Sequence, residues 1–327
     1  MATVLVTGGA GYIGAHACRA LAGAGHRPVA FDNLSTGWAE AVRFGPVVEG
    51  DLTDRKALDA AFAAHRPDAV MHFAALSLVG DSMADPGRYW RENVTGALTL
   101  IEAMVAAGCR RIVFSSTCAT YGDQDGVLLD EEAAQRPTNA YGGSKLAIER
   151  MLHDFAAAEA VAPVIFRYFN VAGAAGDASI GEQHRPETHL IPLALDTALG
   201  RRPALTLHGT DYPTPDGTCI RDYVHVEDLI DAHLAGLARV LDGGAGDVFC
   251  LGTGHGFSVR EVVSAAARVT GREVALTEGP RRAGDSASLV SAGRRAGEVL
   301  GWRPDRSTLD RMIADAWAWH LGTGFAR

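Results

Sequence analysis

The chain is expected to adopt an α/β fold, a doubly wound parallel sheet with a smaller C-terminal substrate-binding domain. Three observations carry that expectation. Short apolar runs alternate with helix-length segments, the first run breaks into closely spaced glycines, and the second ends in an acid.

Val4-Leu5-Val6 reads as a buried strand. It runs into Thr7-Gly8-Gly9-Ala10-Gly11-Tyr12-Ile13-Gly14, where Gly9, Gly11 and Gly14 have the spacing of a dinucleotide-binding turn. Such glycines permit a tight turn and let a backbone approach a pyrophosphate. Tyr12 to Leu21 has helix composition, so the phosphates would meet the positive end of that helix. An ordinary glycine-rich turn shares this spacing; Asp32 separates the two. It closes the second run, Pro28-Val29-Ala30-Phe31, eighteen positions beyond Gly14. A carboxylate there accepts hydrogen bonds from both adenosine ribose hydroxyls and repels a 2′-phosphate. No Arg stands among Asn33, Leu34, Ser35 and Thr36, so NAD is expected in preference to NADP.

Pro46 to Leu52 reads as a third strand whose tip, Asp51-Leu52, would flank the adenine. Asp54 to Ala64 is a helix, and Ala69 to Ala75 a strand whose Phe73-Ala74-Ala75 end would admit the cofactor closely. Strands separated by helices require right-handed crossovers and parallel pairing, the Rossmann arrangement. Pro86 to Ala107 is expected as one long helix packed through Val94, Leu98, Ile101 and Val105. Arg111 to Thr117 is the next strand, and Ser115, Ser116 and Thr117 fall at its active-site edge.

The decisive spacing is Tyr141-Gly142-Gly143-Ser144-Lys145. With Thr138 or Asn139 as cap, Tyr141 and Lys145 share one helix face. An ammonium about 6 Å from a phenol, at an effective dielectric near 20, favours the phenolate by about 3 kcal/mol, or about two pKa units. Tyr141 would thereby approach a useful base.

Whole-chain properties exclude several classes. The 327 residues, 47% of them hydrophobic, suffice for two unequal lobes. Residues 1–176, with 216–252 returning, are expected to bind the dinucleotide; 177–215 and 253–327 would bind substrate. A net charge of −9 and the lack of a long basic run argue against nucleic acid. No apolar stretch approaches the roughly 20 residues that span a bilayer and no basic leader precedes the first strand, so a cytoplasmic protein is expected. Five scattered cysteines read as reduced thiols. No metal is expected, because the histidines lack ligand spacing and His184 and His189 fall in a loop.

With Asp32-Asn33-Leu34, Glu49-Gly50-Asp51, Tyr121-Gly122-Asp123, Arg167-Tyr168-Phe169-Asn170, Asp211 to Thr218, Arg221-Asp222-Tyr223-Val224-His225 and Arg281-Arg282-Ala283-Gly284-Asp285 added, the chain resembles the extended short-chain dehydrogenase/reductase family nearly end to end. The C-terminal motifs are similar to those of its UDP-sugar 4-epimerases. The resemblance implies a homodimeric isomerase, joined through the helices that carry Asn93 and Tyr141. In that family hydride passes from sugar C4 to tightly held NAD, the 4-keto sugar turns over, and hydride returns to its other face.

Catalysis would fall to Tyr141, Lys145 and Thr117. NAD contacts are implied at Gly8, Gly11, Tyr12, Ile13, Gly14, Asp32, Asn33, Asp51, Leu52, Phe73, Ala74, Ala75, Asn93, Ser115, Tyr141, Lys145 and Tyr168. The UDP-sugar would meet Thr117, Tyr141, Asn170, His189, Leu190, Thr206, His208, Arg221, Tyr223, Arg282 and Asp285, with the two arginines on the diphosphate. A dehydratase of the same fold needs an Asp-Glu pair after Thr117, where Cys118-Ala119 stand. Leu76-Ser77, His189, His208 and Leu289 depart from common family residues. They leave the sugar open among UDP-glucose/UDP-galactose, the UDP-xylose/UDP-arabinose pair and UDP-N-acetylglucosamine.

Overall fold

The computed structural model describes residues 1–124, 126–282, 284–322 and 324–325. Its first five strands are β1 (Thr3–Thr7), β2 (Arg27–Asp32), β3 (Val47–Glu49), β4 (Ala69–His72) and β5 (Arg111–Thr117). Together with β7 (Ala162–Tyr168) and β11 (Asp247–Leu251) they form a seven-stranded sheet in the order β11-β7-β5-β4-β1-β2-β3. Every pairing in it is parallel. Chain direction across the sheet reverses between β1 and β4, which opens a crevice at the carboxyl ends of those strands.

Side chains alternate along β1, so Val4 and Val6 face one layer and Leu5 the other. The first layer holds α1 (Tyr12–Gly23) and α8 (Val226–Leu241), where Leu21, Leu229 and Leu237 are buried with Val4 and Val6. Opposite it lie α2 (Arg55–His65), α5 (Gly96–Ala106) and α6 (Ala140–Ala157), with Leu58, Leu100, Ile148 and Leu152 packed around Leu5. Asp54 caps α2 as the sequence suggests, accepting from Lys56 N at 2.9 Å and Ala57 N at 3.2 Å.

The second sheet begins with β6 (Leu128–Leu129) and β8 (Asn170–Ala172) and is centred on β10 (Ile220–His225). The latter pairs with β8, β12 (Gly256–Ser258) and β14 (Ser288–Ser291), and β14 with β6. A separate parallel pair joins β9 (Leu205–His208) to β13 (Leu276–Gly279). Around these pack α7 (Leu190–Ala198), α9 (Val259–Thr270) and α11 (Leu309–Leu321), through Leu195, Val262 and Ile313, while α10 (Arg295–Leu300) returns to cover β11. Among the described residues no helix is long and apolar enough to cross a membrane.

Two local expectations need correction. The helix expected over 86–107 is broken into α4 (Pro86–Tyr89), a π-helical turn Trp90–Thr95, and α5; it follows α3 (Val79–Ala84). The wider turn shifts the phase of the apolar stripe, so Ala97, Leu100, Ile101 and Met104 are buried while Val105 is 41% exposed. It also turns Asn93 inward. Ser307 with Asp310 reads in sequence as a capping box before the last helix, but Thr308 caps it, accepting from Arg311 N. Ser307 is occupied elsewhere, donating to Asp228 Oδ2 at 2.6 Å and accepting from His225 N at 2.8 Å. The capping box at Ser258 and Glu261 does form.

Candidate active site

The turn from β1 to α1 is built for close backbone approach. Gly8 has φ +71, and a Cβ there would lie 2.7 Å from Ala74 N. A Cβ on Gly14 would stand 2.0 Å from Gly8 O, so the helix can meet the turn only without a side chain. No side chain caps α1 at Gly11, which leaves its first-turn N–H groups for an anion. Tyr12 and Ile13 open that turn, and Tyr12 OH donates to Gly173 O at 2.7 Å.

Asp32 stands at the tip of β2, 8% exposed, accepting from Ala10 N at 2.9 Å and Leu34 N at 2.8 Å. Burial raises its pKa and the two amides oppose that rise. Asn33 donates to Asp51 at 2.7 Å, and Leu52 is buried behind them. Phe73 N and Ala74 N both donate to Thr7 O, which sets Phe73, Ala74 and Ala75 against the glycine turn at the crevice. A cradle that a single Cβ would fill, flanked by a buried acid and small residues, fits NAD.

Tyr141 and Lys145 enter from α6, which Asn139 caps by accepting from Gly142 N at 2.8 Å. Lys145 is 3% exposed; its Nζ donates to Ser115 O at 2.8 Å and sits 4.8 Å over the Phe114 ring. Burial lowers its pKa to about 7, with Glu149 pulling the other way. Tyr141 hydrogen-bonds the Thr117 side chain, yet burial and the neighbouring Tyr168 push its phenol up. The expected lowering by Lys145 is therefore not what this arrangement produces. Both groups lie where charge is disfavoured, and the ammonium is directed to a carbonyl and an aromatic face.

Asn93 links two parts of the site. It donates to Ser144 Oγ on α6 and to Leu76 O, both at 3.0 Å, and accepts from Leu76 N at 2.8 Å. Ser115 Oγ lies 3.1 Å from His233 Nε2, and Tyr168 hydrogen-bonds Ser115.

On the opposite wall Tyr223 and Asn170 are register partners on β10 and β8, and Arg221 lies two residues before Tyr223. Arg221 Nη2 is 3.9 Å from Asp285 Oδ1. Burial pushes the Cys118 thiol up to about 12 while the charge of Arg221 pulls against it. His208 is lowered by burial and by Arg282, with Asp285 opposing, so these three also share a neighbourhood. Ala283, within the same motif, lies outside the described residues. Thr206 is turned to β13, where its hydroxyl is 3.3 Å from that of Thr277. Leu190 begins α7 directly after His189. Burial pulls His189 down, but Glu182 and Glu187 more than offset it and push it up to about 10. The loop that reads as featureless thus gathers Glu182, His184, Glu187 and His189.

A second group missed by sequence reasoning lies behind α6. Glu149, 1% exposed, accepts from Arg167 Nη2 at 2.8 Å and from Arg167 Nε at 3.1 Å, and also from Ser116 Oγ. Arg167 continues to Tyr121 OH at 3.1 Å. The signal was present: Glu149 is four residues after Lys145, and Arg167 interrupts an apolar strand.

Cradle, acid and buried Tyr–Lys pair are the parts of a dinucleotide-dependent α/β enzyme. The chain belongs to the NAD dependent epimerase/dehydratase family, whose family model matches residues 4–252. It is 50% identical over 318 residues to a UDP-glucose 4-epimerase of Rhizobium leguminosarum bv. trifolii, covering 97% of each chain. Among solved structures it is similar to the UDP-glucose 4-epimerase of Brucella ovis in complex with NAD, at 46% identity and TM-score 0.93, covering 97% of this chain and 98% of that one. A UDP-glucose-4-epimerase from Stenotrophomonas maltophila with bound NAD and formylated UDP-arabinopyranose is 39% identical, with TM-score 0.93 and 98% of each chain covered.

Proposed function

We propose that the chain interconverts UDP-glucose and UDP-galactose as an NAD-dependent 4-epimerase, an isomerase with no net redox change. The observation that carries this reading is the joining of Thr117, Tyr141 and Lys145 at the ends of β5 and α6 to the Gly8–Gly14 cradle on one side and Arg221 on the other. NAD, when bound, supplies the acceptor that takes hydride from C4 and gives it back.

The remaining work belongs to the chain. Gly8, Gly11 and Gly14 admit the pyrophosphate, and Asp32 accepts from the adenosine ribose. Asn33, Asp51 and Leu52 border the adenine. Lys145, Ser115 and Tyr168 position the nicotinamide end, and Asn93 holds Ser144 and Leu76 so that α6 keeps its place. Tyr141 takes the proton of the sugar 4-hydroxyl and returns it, with Thr117 holding the same oxygen. The phenol rests high in its buried site, so its ionisation needs a cation beside it, a demand that oxidised nicotinamide and protonated Lys145 meet together. Arg221 and Arg282 hold the diphosphate while the sugar turns, Asp285 accepts from the uridine ribose, and Asn170, Leu190 and Tyr223 line the pocket. Cys118 and Ala119 after Thr117 leave no acid–base pair for dehydration.

Residues 1–176 with 216–252 serve the cofactor in this reading, and 177–215 with 253–327 the UDP-sugar. Trp90, 45% exposed, and Val105 leave apolar surface on the helix of Asn93, which supports a homodimer formed there with α6. A cytoplasmic location accords with four buried free thiols, Cys18, Cys109, Cys118 and Cys250. A pentose is the second reading, favoured by the arabinopyranose-bound relative.

NMR of purified protein with UDP-glucose, UDP-N-acetylglucosamine and UDP-xylose, without added reductant, tests the function. UDP-galactose should appear, and Tyr141→Phe should slow its formation by about 10²–10⁴-fold. No 4-epimer from any of the three sugars, with Tyr141→Phe indistinguishable from wild type, would falsify the assignment.

A further inference from the structure

The loop before α7 places four metal-ligand types together, although no two histidines in it are spaced as a familiar ligand pair. One donor atom from each of Glu182, His184, Glu187 and His189 lies within 4.8 Å of the others. His189 Nδ1 is 3.0 Å from Glu182 Oε1 and 3.1 Å from Glu187 Oε1. His184 Nδ1 is 3.5 Å from Glu182 Oε1 and 3.4 Å from Glu187 Oε2. Ligands about 2.0–2.1 Å from a tetrahedral ion are separated from each other by about 3.3–3.4 Å, a spacing that falls within the 3.0–3.5 Å of the four histidine–carboxylate distances, while the whole set would close in from its 4.8 Å span.

Two further observations point to a ligand. His184 Nδ1 is shielded from solvent on a side chain 27% exposed, and it stands 3.4–3.5 Å from both carboxylates without a well-aligned hydrogen bond. The cluster also borders a cavity of about 240 Å³, lined by Glu182, His184, Glu187 and Trp319 among others.

The loop is held from outside, so the cluster is preorganised. Trp319 Nε1 donates to Glu182 O at 3.0 Å and Trp38 Nε1 to Gln183 O at 2.9 Å. Thr188 N and His189 N donate to Glu187 Oε1 at 2.8 and 2.9 Å, fixing the orientation of that carboxylate. Glu182 and Glu187 are only 6% and 13% exposed, and their field reaches Tyr12 at the dinucleotide turn. Two largely buried carboxylates face one another across the two imidazoles, and a dication held by all four would neutralise them both.

We propose that Glu182, His184, Glu187 and His189 form a closed tetrahedral site for a divalent first-row cation, Zn²⁺ by its ligand set. Four protein ligands make it structural. The ion ties the 182–189 loop to the first turn of α7, where Leu190 begins.

The full-length protein, treated with chelator and dialysed, is titrated with Zn²⁺ alone by calorimetry, and metal retained after gel filtration is measured by mass spectrometry. One Zn²⁺ per chain should bind, and His184→Gln and Glu187→Gln should each weaken binding at least about tenfold. Wild type loaded with Co²⁺ should show the visible d–d bands of four-coordinate nitrogen and oxygen ligation. This spectrum needs no variant to fold and no UDP-sugar, so it stands apart from the epimerase reading. Sub-stoichiometric binding would leave an imidazolium held between carboxylates and overturn the site. Unchanged affinity in the variants, or a thiolate charge-transfer band in the Co²⁺ spectrum, would do the same.

Discussion

Replacing Glu149 by Gln tests whether the buried network behind α6 holds the catalytic helix. Glu149 and Arg167 are 1% and 5% exposed, and three nitrogen–oxygen contacts between them lie at 2.8–3.1 Å. Removing the carboxylate charge leaves the guanidinium buried among neutral acceptors, the new amide oxygen, Tyr121 OH and the Glu131 carbonyl. Breaking such a pair costs about 3–5 kcal/mol, which for a chain of 327 residues corresponds to a fall in melting temperature of roughly 4–7 °C. The double variant Glu149→Gln/Arg167→Met removes both charges and should recover most of that loss. Glu149 is also the group that opposes burial at Lys145, so the single variant should move Lys145 below about 7 and shift the pH profile of epimerisation. Calorimetric melting of wild type, single and double variants, with the pH profile of the single, makes the assay. A single variant that loses under about 1 kcal/mol, or a double no more stable than the single, refutes the reasoning.

Gly8→Ala forces a Cβ to within 2.7 Å of Ala74 N at φ +71, so it should cost about 1–3 kcal/mol in thermal unfolding and release bound NAD on gel filtration. Retained NAD with unchanged melting would show that the turn relaxes. Lys145 has a pKa lowered by burial from 10.5 to about 7, so the unfolded chain holds the extra proton between those values and the group's contribution to stability rises with pH. The melting temperature of wild type minus that of Lys145→Met should accordingly climb from pH 7 to pH 9; a flat difference contradicts the burial. Arg221→Ala should raise KM for the UDP-sugar by roughly 10–100-fold through loss of charged hydrogen bonds while NAD content stays unchanged. Steady-state kinetics with unaltered KM would remove Arg221 from the diphosphate.

The Rossmann half was legible because its signals are local. Glycine spacing, an acid at a strand tip and runs of apolar residues each report on a few neighbouring positions, and β1, β2, α1, α6 and α8 follow from them. The 86–107 helix was harder, since nothing in its composition announces the π turn at Trp90–Thr95 that moves the buried face by a residue. Ser307 shows the same limit: its sequence fits a cap, but Asp228, nearly eighty residues earlier, competes for the hydroxyl.

Non-local electrostatics explains what the site reading missed. A Tyr and a Lys four residues apart suggest a phenol lowered by its neighbour, a conclusion that assumes a partly solvated pair and a charged amine. Burial reverses both assumptions: it costs the phenolate its hydration and brings Lys145 to about 7, so the pair at rest lies close to neutral. That change has a functional sense. An amine with a pKa brought to about 7 responds strongly to any charge placed beside it: the positive ring of oxidised nicotinamide would favour the phenolate, and the phenolate would in turn hold Lys145 protonated. The proton demand at Tyr141 is therefore set by three groups jointly, Lys145, Glu149 behind it and the cofactor in front. Titration of the site should accordingly report macroscopic steps of the whole set rather than the pKa of any one residue.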